Sequence, residues 1–172
     1  MTIRPSEEKD IPRIMEIFAG AREFMAANGN PHQWGDTNWP PLGHIERDAR
    51  EGGGYVCEHE GRIVGYFFVE FGEDVEPDFR VIEGEWLDPS PYGALHRLAG
   101  DGSVRGIGAF CLNWAYGRFG HIRFDTHEDN KIMQALAERL GFARCGIIHV
   151  SKDPYPRIAY ERSALTERIR GR

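Results

Sequence analysis

The chain has 172 residues, 41% of them hydrophobic, and a net charge of −6. That length suits one domain burying about 70% of its unfolded surface, and no apolar run approaches the roughly 18 residues of a membrane span. The acidic balance argues against a nucleic-acid surface, because Arg4, Arg13 and Arg22 are scattered rather than clustered. In chain order, the opening MTIRPSEEKD places charges where a secretion signal needs an apolar core, so the expected compartment is the cytoplasm. Residues 2–4 are predicted as a short strand ended by Pro5. Asp10 is placed to cap a helix in which Ile11, Ile14, Met15, Phe18, Ala21 and Met25 recur at helical spacing. Asn28-Gly29-Asn30-Pro31 stops that helix. A polar and aromatic stretch follows, with Gln33, Trp34, Asn38 and Trp39, and then a shorter helix over 42–51 closed by Gly52-Gly53-Gly54.

Strands over 55–58 and 62–71 flank Glu60-Gly61, a sequence suited to a tight hairpin. The second strand is nearly continuously apolar, as expected of one covered on both faces. Residues 70–88 are acidic, with Arg80 the lone cation, and predict a solvated loop. A strand over 92–99 then runs into a glycine loop. Ile107, Phe110, Cys111, Trp114 and Ala115 form the apolar stripe of the helix that the loop opens. Ile122-Arg123-Phe124 predicts a strand, and Met133, Leu136, Ala137 and Leu140 repeat the helical stripe before Gly141 stops it. Residues 143–150 and 158–160 predict a closing strand pair around Pro154-Tyr155-Pro156. Cys57, Cys111 and Cys145 are widely separated within apolar patterns and are read as reduced, buried thiols. The pattern as a whole predicts a mixed α/β fold around one sheet.

A glycine-rich loop that opens a helix leaves backbone N–H groups unpaired and aimed at one spot. Together with about half a positive charge at the helix N-terminus, this suits a phosphate or pyrophosphate. Gly106 and Gly108 let the backbone approach such an anion. Farther on, Asp125, His127, Glu128 and Asp129 cluster after the predicted strand. Asp125, His127 and Asp129 are ligand types for a metal, but no His-Glu-x-x-His or paired-cysteine spacing accompanies them. Helix capping by Asp129 suffices as an account, and no metal is expected. No Gly-x-Ser-x-Gly elbow is present, which makes an esterase a poor reading.

The order strand, glycine loop, helix, strand, Asn, helix, Gly-Phe, strand, strand resembles the GNAT superfamily of N-acetyltransferases over nearly the whole chain. The residues that carry the resemblance are Arg105-Gly106-Ile107-Gly108-Ala109, Asn130 and Leu140-Gly141-Phe142. It implies a single domain over 1–172, with a mixed, mostly antiparallel sheet of about six to seven strands and about four helices. It also implies acetyl-CoA as co-substrate. The loop residues Ser103, Val104, Arg105, Gly106, Ile107, Gly108 and Ala109 would then bind the CoA pyrophosphate. Leu98 and Ala99 would pair with the pantetheine arm, and Asn130 would contact it. Two places depart from the family pattern. Ser103 stands where the pattern has Gln or Arg, with Arg105 supplying a cation two residues on. Ala137 stands where the family often has a tyrosine that protonates the leaving thiolate. Either another residue such as Tyr116 or Tyr160 does that job, or solvent does, or the protein does not turn over.

The implied reaction moves an acetyl group from acetyl-CoA to a primary amine of a small molecule or peptide. The alternative is a non-catalytic acyl-CoA-binding module of the same fold, which Ala137 favours. An amine must lose a proton to react, and His127, with an unperturbed pKa near 6.5, leads as the base. The other reading of His127 is a solvent-facing loop histidine. Glu85 and His96 are the further candidates. Trp34, Trp39, Trp86 and Tyr92 are expected to line the acceptor site, with the 70–88 carboxylates drawing in a cationic amine. The expected partner is that amine, with a homodimer left open and neither nucleic acid nor membrane involved.

Overall fold

The computed structural model describes residues 1–170. Within them the strands are β1 (Thr2–Pro5), β2 (Gly54–His59), β3 (Arg62–Gly72), β4 (Ile82–Gly84), β5 (Tyr92–Gly100), β6 (His121–His127), β7 (Ala143–His149) and β8 (Pro156–Ser163). The helices are α1 (Ile11–Ala27), α2 (His32–Gly35), α3 (Leu42–Glu51), α4 (Ile107–Phe119), α5 (Lys131–Arg139) and α6 (Ala164–Arg170). The sheet has eight strands in the order β1-β2-β3-β5-β6-β8-β7-β4, one more strand than expected. β5 and β6 run parallel, whereas the β1–β2, β2–β3, β6–β8, β7–β8 and β4–β7 pairs are antiparallel. Two compact units interleave along the chain, one made of residues 1–69 and 96–114, the other of 70–95 and the chain from 115 onward. No helix among the described residues is long and apolar enough to cross a membrane.

In the first unit, α1 turns Ile14, Ile17 and Phe18 into a core shared with Trp34, Ile45, Val56, Tyr66 and Ala99. The predicted stripe is therefore the buried face, with Ile11, Met15, Ala21 and Met25 at its margin. Asp10 stands at the helix start as expected, but its side chain makes no cap bond. Its carboxylate instead accepts from both Arg4 Nη atoms, at 2.6 and 3.0 Å, and from the Glu7 N–H at 2.9 Å. A forked, charge-assisted pair outweighs a neutral cap, and it holds the Asp10 carboxyl below its ordinary range. The hairpin forms as predicted. Glu60 and Gly61 both have positive φ, 49° and 74°, and His59 pairs with Arg62.

In the second unit the acidic segment departs from expectation. It is not simply a solvated loop: Pro77–Phe79 forms a 3-10 turn, and β4 pairs with β7 through Ile82 and Ile148. Phe79 is buried with Tyr92, Ala94, Cys145 and Ile148, and Ile82, Trp86 and Leu87 pack against them. The charges hid an apolar residue every three or four positions. β6 is also longer than the predicted three residues. It pairs with β8 from His121↔Ser163 to His127↔Arg157, so Asp125 and His127 lie on a strand rather than after one. Polar side chains concealed that strand because its partners in the fold are themselves charged. β8 is extended for the same reason.

Candidate functional site

The glycine loop is built from its first residue. The Asp101 N–H donates to the Val64 carbonyl at 2.9 Å. The Asp101 carboxylate accepts from the Ser103 N–H at 2.9 Å and from its hydroxyl at 2.6 Å. The other carboxylate oxygen meets Arg13 Nη2 at 2.6 Å, while Arg13 Nε donates to the Ile63 carbonyl at 3.1 Å. Ser103 thus spends both polar groups inside the loop. Beyond it the chain is exposed at Arg105 and left-handed at Gly106, where φ is 85°. A Cβ built on Gly106 would meet nothing within 4 Å, so the backbone is open on that side. Ile107 is buried and anchors the start of α4, whose first N–H groups have no carbonyl one turn back. These are the features an anion requires.

β5, which leads into the loop, is broken by Arg97, a non-glycine residue with φ of 57°. A left-handed residue within a strand turns the neighbouring peptides off the ladder direction, and surrounding contacts must hold it there. Here Arg97 Nη2 donates to both oxygens of Asp48, at 3.0 and 2.9 Å, and its guanidinium lies 4.3 Å from the Phe68 ring centre. Asp48 also accepts from the Tyr66 hydroxyl at 2.6 Å. Burial and that carboxylate push the Tyr66 phenol up. Leu98 and Ala99 follow at once, Leu98 half-buried and Ala99 in the core. His96 lies beside Phe68, with ring centres 6.4 Å apart.

The aromatic candidates divide between the units. Trp34 belongs to the first core, edge-on to Phe18 at 5.6 Å. Trp39 packs against His44. Trp86 and Tyr92 do hold a cation, but it is the protein's own: the Arg123 guanidinium sits 4.4 Å from one ring and 4.1 Å from the other. The Trp86 N–H donates to the Phe79 carbonyl. Arg123 Nε in turn donates to the fully buried Glu161, which also binds His121 Nε2 at 2.8 Å and the Leu87 N–H at 2.6 Å. Burial alone would raise the Glu161 carboxyl, yet these donors hold it below its ordinary range. Glu85, just past β4, is exposed, and its N–H donates to the Cys145 carbonyl.

The end of β6 differs. His127 is 2% exposed, its ring set edge-on to Tyr155 at 5.2 Å. Nδ1 accepts from the Asp129 N–H at 3.1 Å, and Nε2 is buried with no hydrogen-bond partner. It is not the solvent-facing histidine of the other reading. Burial and then the Arg157 charge push its pKa down. Asp125 lies 3.7 Å from Arg157, itself 1% exposed and bound to Asp153. The helix that follows is capped by Asn130 rather than Asp129: Asn130 Oδ1 accepts from the Met133 N–H at 3.1 Å. Ala137 is fully buried on α5. Of the two tyrosines, Tyr116 carries the Arg162 guanidinium 3.9 Å from its ring centre, while the buried Tyr160 hydroxyl has no partner. Burial raises the Tyr160 phenol.

Among the described residues, no group of three His, Cys, Asp or Glu is placed to hold a metal ion. All three cysteines are free and buried, and burial beside Glu161 pushes Cys145 up to about 12. Sequence reasoning did not single out Arg13, Asp48, Tyr66, Asp101 or Glu161. Apart from the Asp101–Ser103 and Arg13–Glu16 contacts, the partners that set their places are distant in the chain, such as Asp48 with Tyr66 at 18 residues and Arg13 with Asp101 at 88.

No protein-family model and no curated protein matches the chain. Solved structures do. A GNAT-family acetyltransferase from Streptococcus agalactiae 2603 is 30% identical, with 94% of each chain covered and a TM-score of 0.82. The fold is also similar to that of a ribosomal-protein-alanine N-acetyltransferase from Brucella melitensis. That structure is 21% identical, with 95% of this chain and 99% of the other covered and a TM-score of 0.61. The ribosomal-protein-S18-alanine N-acetyltransferase from Escherichia coli is 16% identical, with coverages of 93% and 91% and a TM-score of 0.60.

Proposed function

The chain belongs to the GNAT family of acetyltransferases, and from that premise we propose that it transfers the acetyl group of acetyl-CoA to a primary amine of a small molecule or peptide. The observation that carries the proposal is the open backbone at Gly106, where a left-handed glycine with free space beside it precedes the start of α4, whose first N–H groups have no carbonyl one turn back. In this reading the amides of residues 104–109 receive the pyrophosphate and Arg105 adds a positive charge. The brace from Arg13 through Asp101 to Ser103 keeps the loop in shape. Leu98 and Ala99 offer backbone groups to the pantetheine arm just after the break at Arg97, and Asn130 adds a contact.

The chemistry needs few side chains. The amine nitrogen attacks the thioester carbon, the C–S bond breaks, the thiolate leaves and the ammonium proton passes to a base. His127 acts as that base only by abandoning the tautomer that the Asp129 N–H selects, because in that tautomer Nε2 carries the hydrogen. The exposed carboxylate of Glu85 needs no such change and is the better base. Tyr160 is the donor candidate for the thiolate in place of Ala137, with a buried hydroxyl that lacks a partner.

Two measurements test the proposal. Acetyl-CoA at a hundredfold excess over its dissociation constant is expected to stabilise the fold by about 2.7 kcal/mol, seen as a raised melting temperature. Thiol release in a panel of small amines and peptides with free α-amines is expected for at least one acceptor. An unmoved melting temperature overturns the proposal. Binding without thiol release across the panel favours the second reading, an acyl-CoA-binding module, which the buried Ala137 supports.

A further inference from the structure

Among the described residues, four that are not glycine have a left-handed φ: Asn38, Glu60, Asp74 and Arg97. The first three lie in turns or bends, where that conformation is at home, and only Arg97 lies inside a strand. An arginine has no short polar side chain to bond its own backbone there, as Asn and Asp do, so its surroundings must hold it. Glycine would take the conformation freely. The chain holds it with a buried ion pair instead. The Asp48 and Arg97 side chains are 7% and 10% exposed, and Arg97 Nη2 donates to both Asp48 oxygens. Arg97 Nε is closed off without a hydrogen-bond partner, so the guanidinium is enclosed by Asp48 and Phe68 rather than offered to a ligand. Asp48 is fixed in turn by the Tyr66 hydroxyl. A Cβ built on Gly54 would stand 2.8 Å from that hydroxyl oxygen and 3.2 Å from Asp48 Cβ, so the brace fills its space. Buried ion pairs are a poor source of stability, since apolar residues of similar volume often do as well or better. What this pair supplies is a fixed backbone at residue 97. The far end of the stretch is fixed in the same way: the Asp101 N–H meets the Val64 carbonyl, and the Asp101 carboxylate meets Arg13. Residues 98–100 are strung between two ion pairs, within the first unit and directly before its glycine loop.

We propose that Asp48 and Arg97 are positioning residues for acyl-CoA, a proposal that rests on the acetyl-CoA reading above. Their ion pair locks residue 97 left-handed in the folded protein itself. Residues 98–100 and the loop are then ordered as part of folding and not as part of binding, which is the advantage of a preorganised site. The requirement is for the backbone conformation and not for the guanidinium charge.

Two substitutions at one position separate conformation from charge. Arg97→Gly and Arg97→Ala both remove the guanidinium, but glycine keeps a positive φ at no steric cost, whereas alanine relaxes toward the extended region. Calorimetric titration with acetyl-CoA is expected to place Arg97→Gly within about fivefold of the wild type, and Arg97→Ala about tenfold weaker than Arg97→Gly. Adding Asp48→Asn to each variant leaves no unpaired carboxylate buried and keeps an amide oxygen for the Tyr66 hydroxyl, and the same tenfold gap is expected between the double variants. An Arg97→Gly variant no tighter than Arg97→Ala overturns the proposal. If both match the wild type, the pair is a structural brace alone; if both are weakened alike, the guanidinium itself contacts the ligand. Should the variants fail to fold, the wild type carries the test. Coupling is reciprocal, so saturating acetyl-CoA is expected to slow hydrogen exchange at the enclosed Arg97 Nε–H, and unchanged exchange there overturns the proposal. A wild-type protein that takes up no acetyl-CoA in the titration would overturn the parent reading and this proposal with it.

Discussion

At one end of β6, His121 and Arg123 meet Glu161 and every charge is answered: the carboxylate takes three N–H donors and the Cys145 thiol, and the guanidinium lies against Trp86 and Tyr92. At the other end of the same strand, His127 is equally buried but leaves a nitrogen unanswered. Burial is the same and satisfaction is not. A saturated polar cluster stores its energy in the fold, because each member is more costly to expose than to keep. An unsaturated one is a standing cost to the fold.

The saturated end should break hardest. Glu161→Gln leaves Arg123 buried without its counter-charge and is expected to lower unfolding free energy by about 3–5 kcal/mol in denaturant titration. The sign of the pH effect follows from the depressed carboxyl. Its stabilisation is present above the ordinary carboxylate value of about 4.3 and is lost as pH falls through the lower folded value. The acid limb of the wild-type stability curve should therefore flatten in the Gln variant.

With Nδ1 of His127 taken by the Asp129 N–H, the amine proton is expected to leave by another route. Glu85→Gln is then expected to cut turnover about 10²–10⁴-fold with the melting temperature unchanged, measured by thiol release. Full turnover in that variant would return the base role to His127 or His96. Gly106→Val forces a branched residue into a left-handed conformation, at about 1–2 kcal/mol, and adds bulk on the open side of the loop. Its expected signature is a lost acetyl-CoA-induced shift in melting temperature beyond that stability cost. Asn130→Ala should be mildest, about 1 kcal/mol from the lost cap to Met133 N–H. A loss well above that would mean the carboxamide also braces the His127 turn.

Much of the fold was legible. The α1 stripe, the hairpin at Glu60-Gly61, the 42–51 helix and the α4 start after Gly106 all depend on spacing and on backbone freedom within a few residues. The acidic segment was not, because Phe79 and Ile82 declare themselves only when β7 supplies a partner strand. Trp86 and Tyr92 were expected to line an acceptor site, whereas both rings face the Arg123 guanidinium, 31 residues past Tyr92 in the chain, and no periodicity records such a distance. His127 was read as a base or a solvent-facing loop histidine, and neither its burial nor its tautomer was legible, since these turn on how far β6 extends and where the Asp129 N–H points.

The sequence by itself determined the order of elements, the glycine loop at the head of α4 and a polar cap near residue 130 for α5, which it misassigned to Asp129 in place of Asn130. Each of these is a local matter of dihedral freedom, helical period or a side chain reaching three residues along. Only the tertiary structure decided which charges are spent and which are available. Arg97 and Arg123 are neutralised by Asp48 and Glu161 across 49 and 38 residues, whereas Nε2 of His127 finds nothing. The physical reason is that a buried charge or donor is costed by its neighbours in space, and chain order does not say who they are.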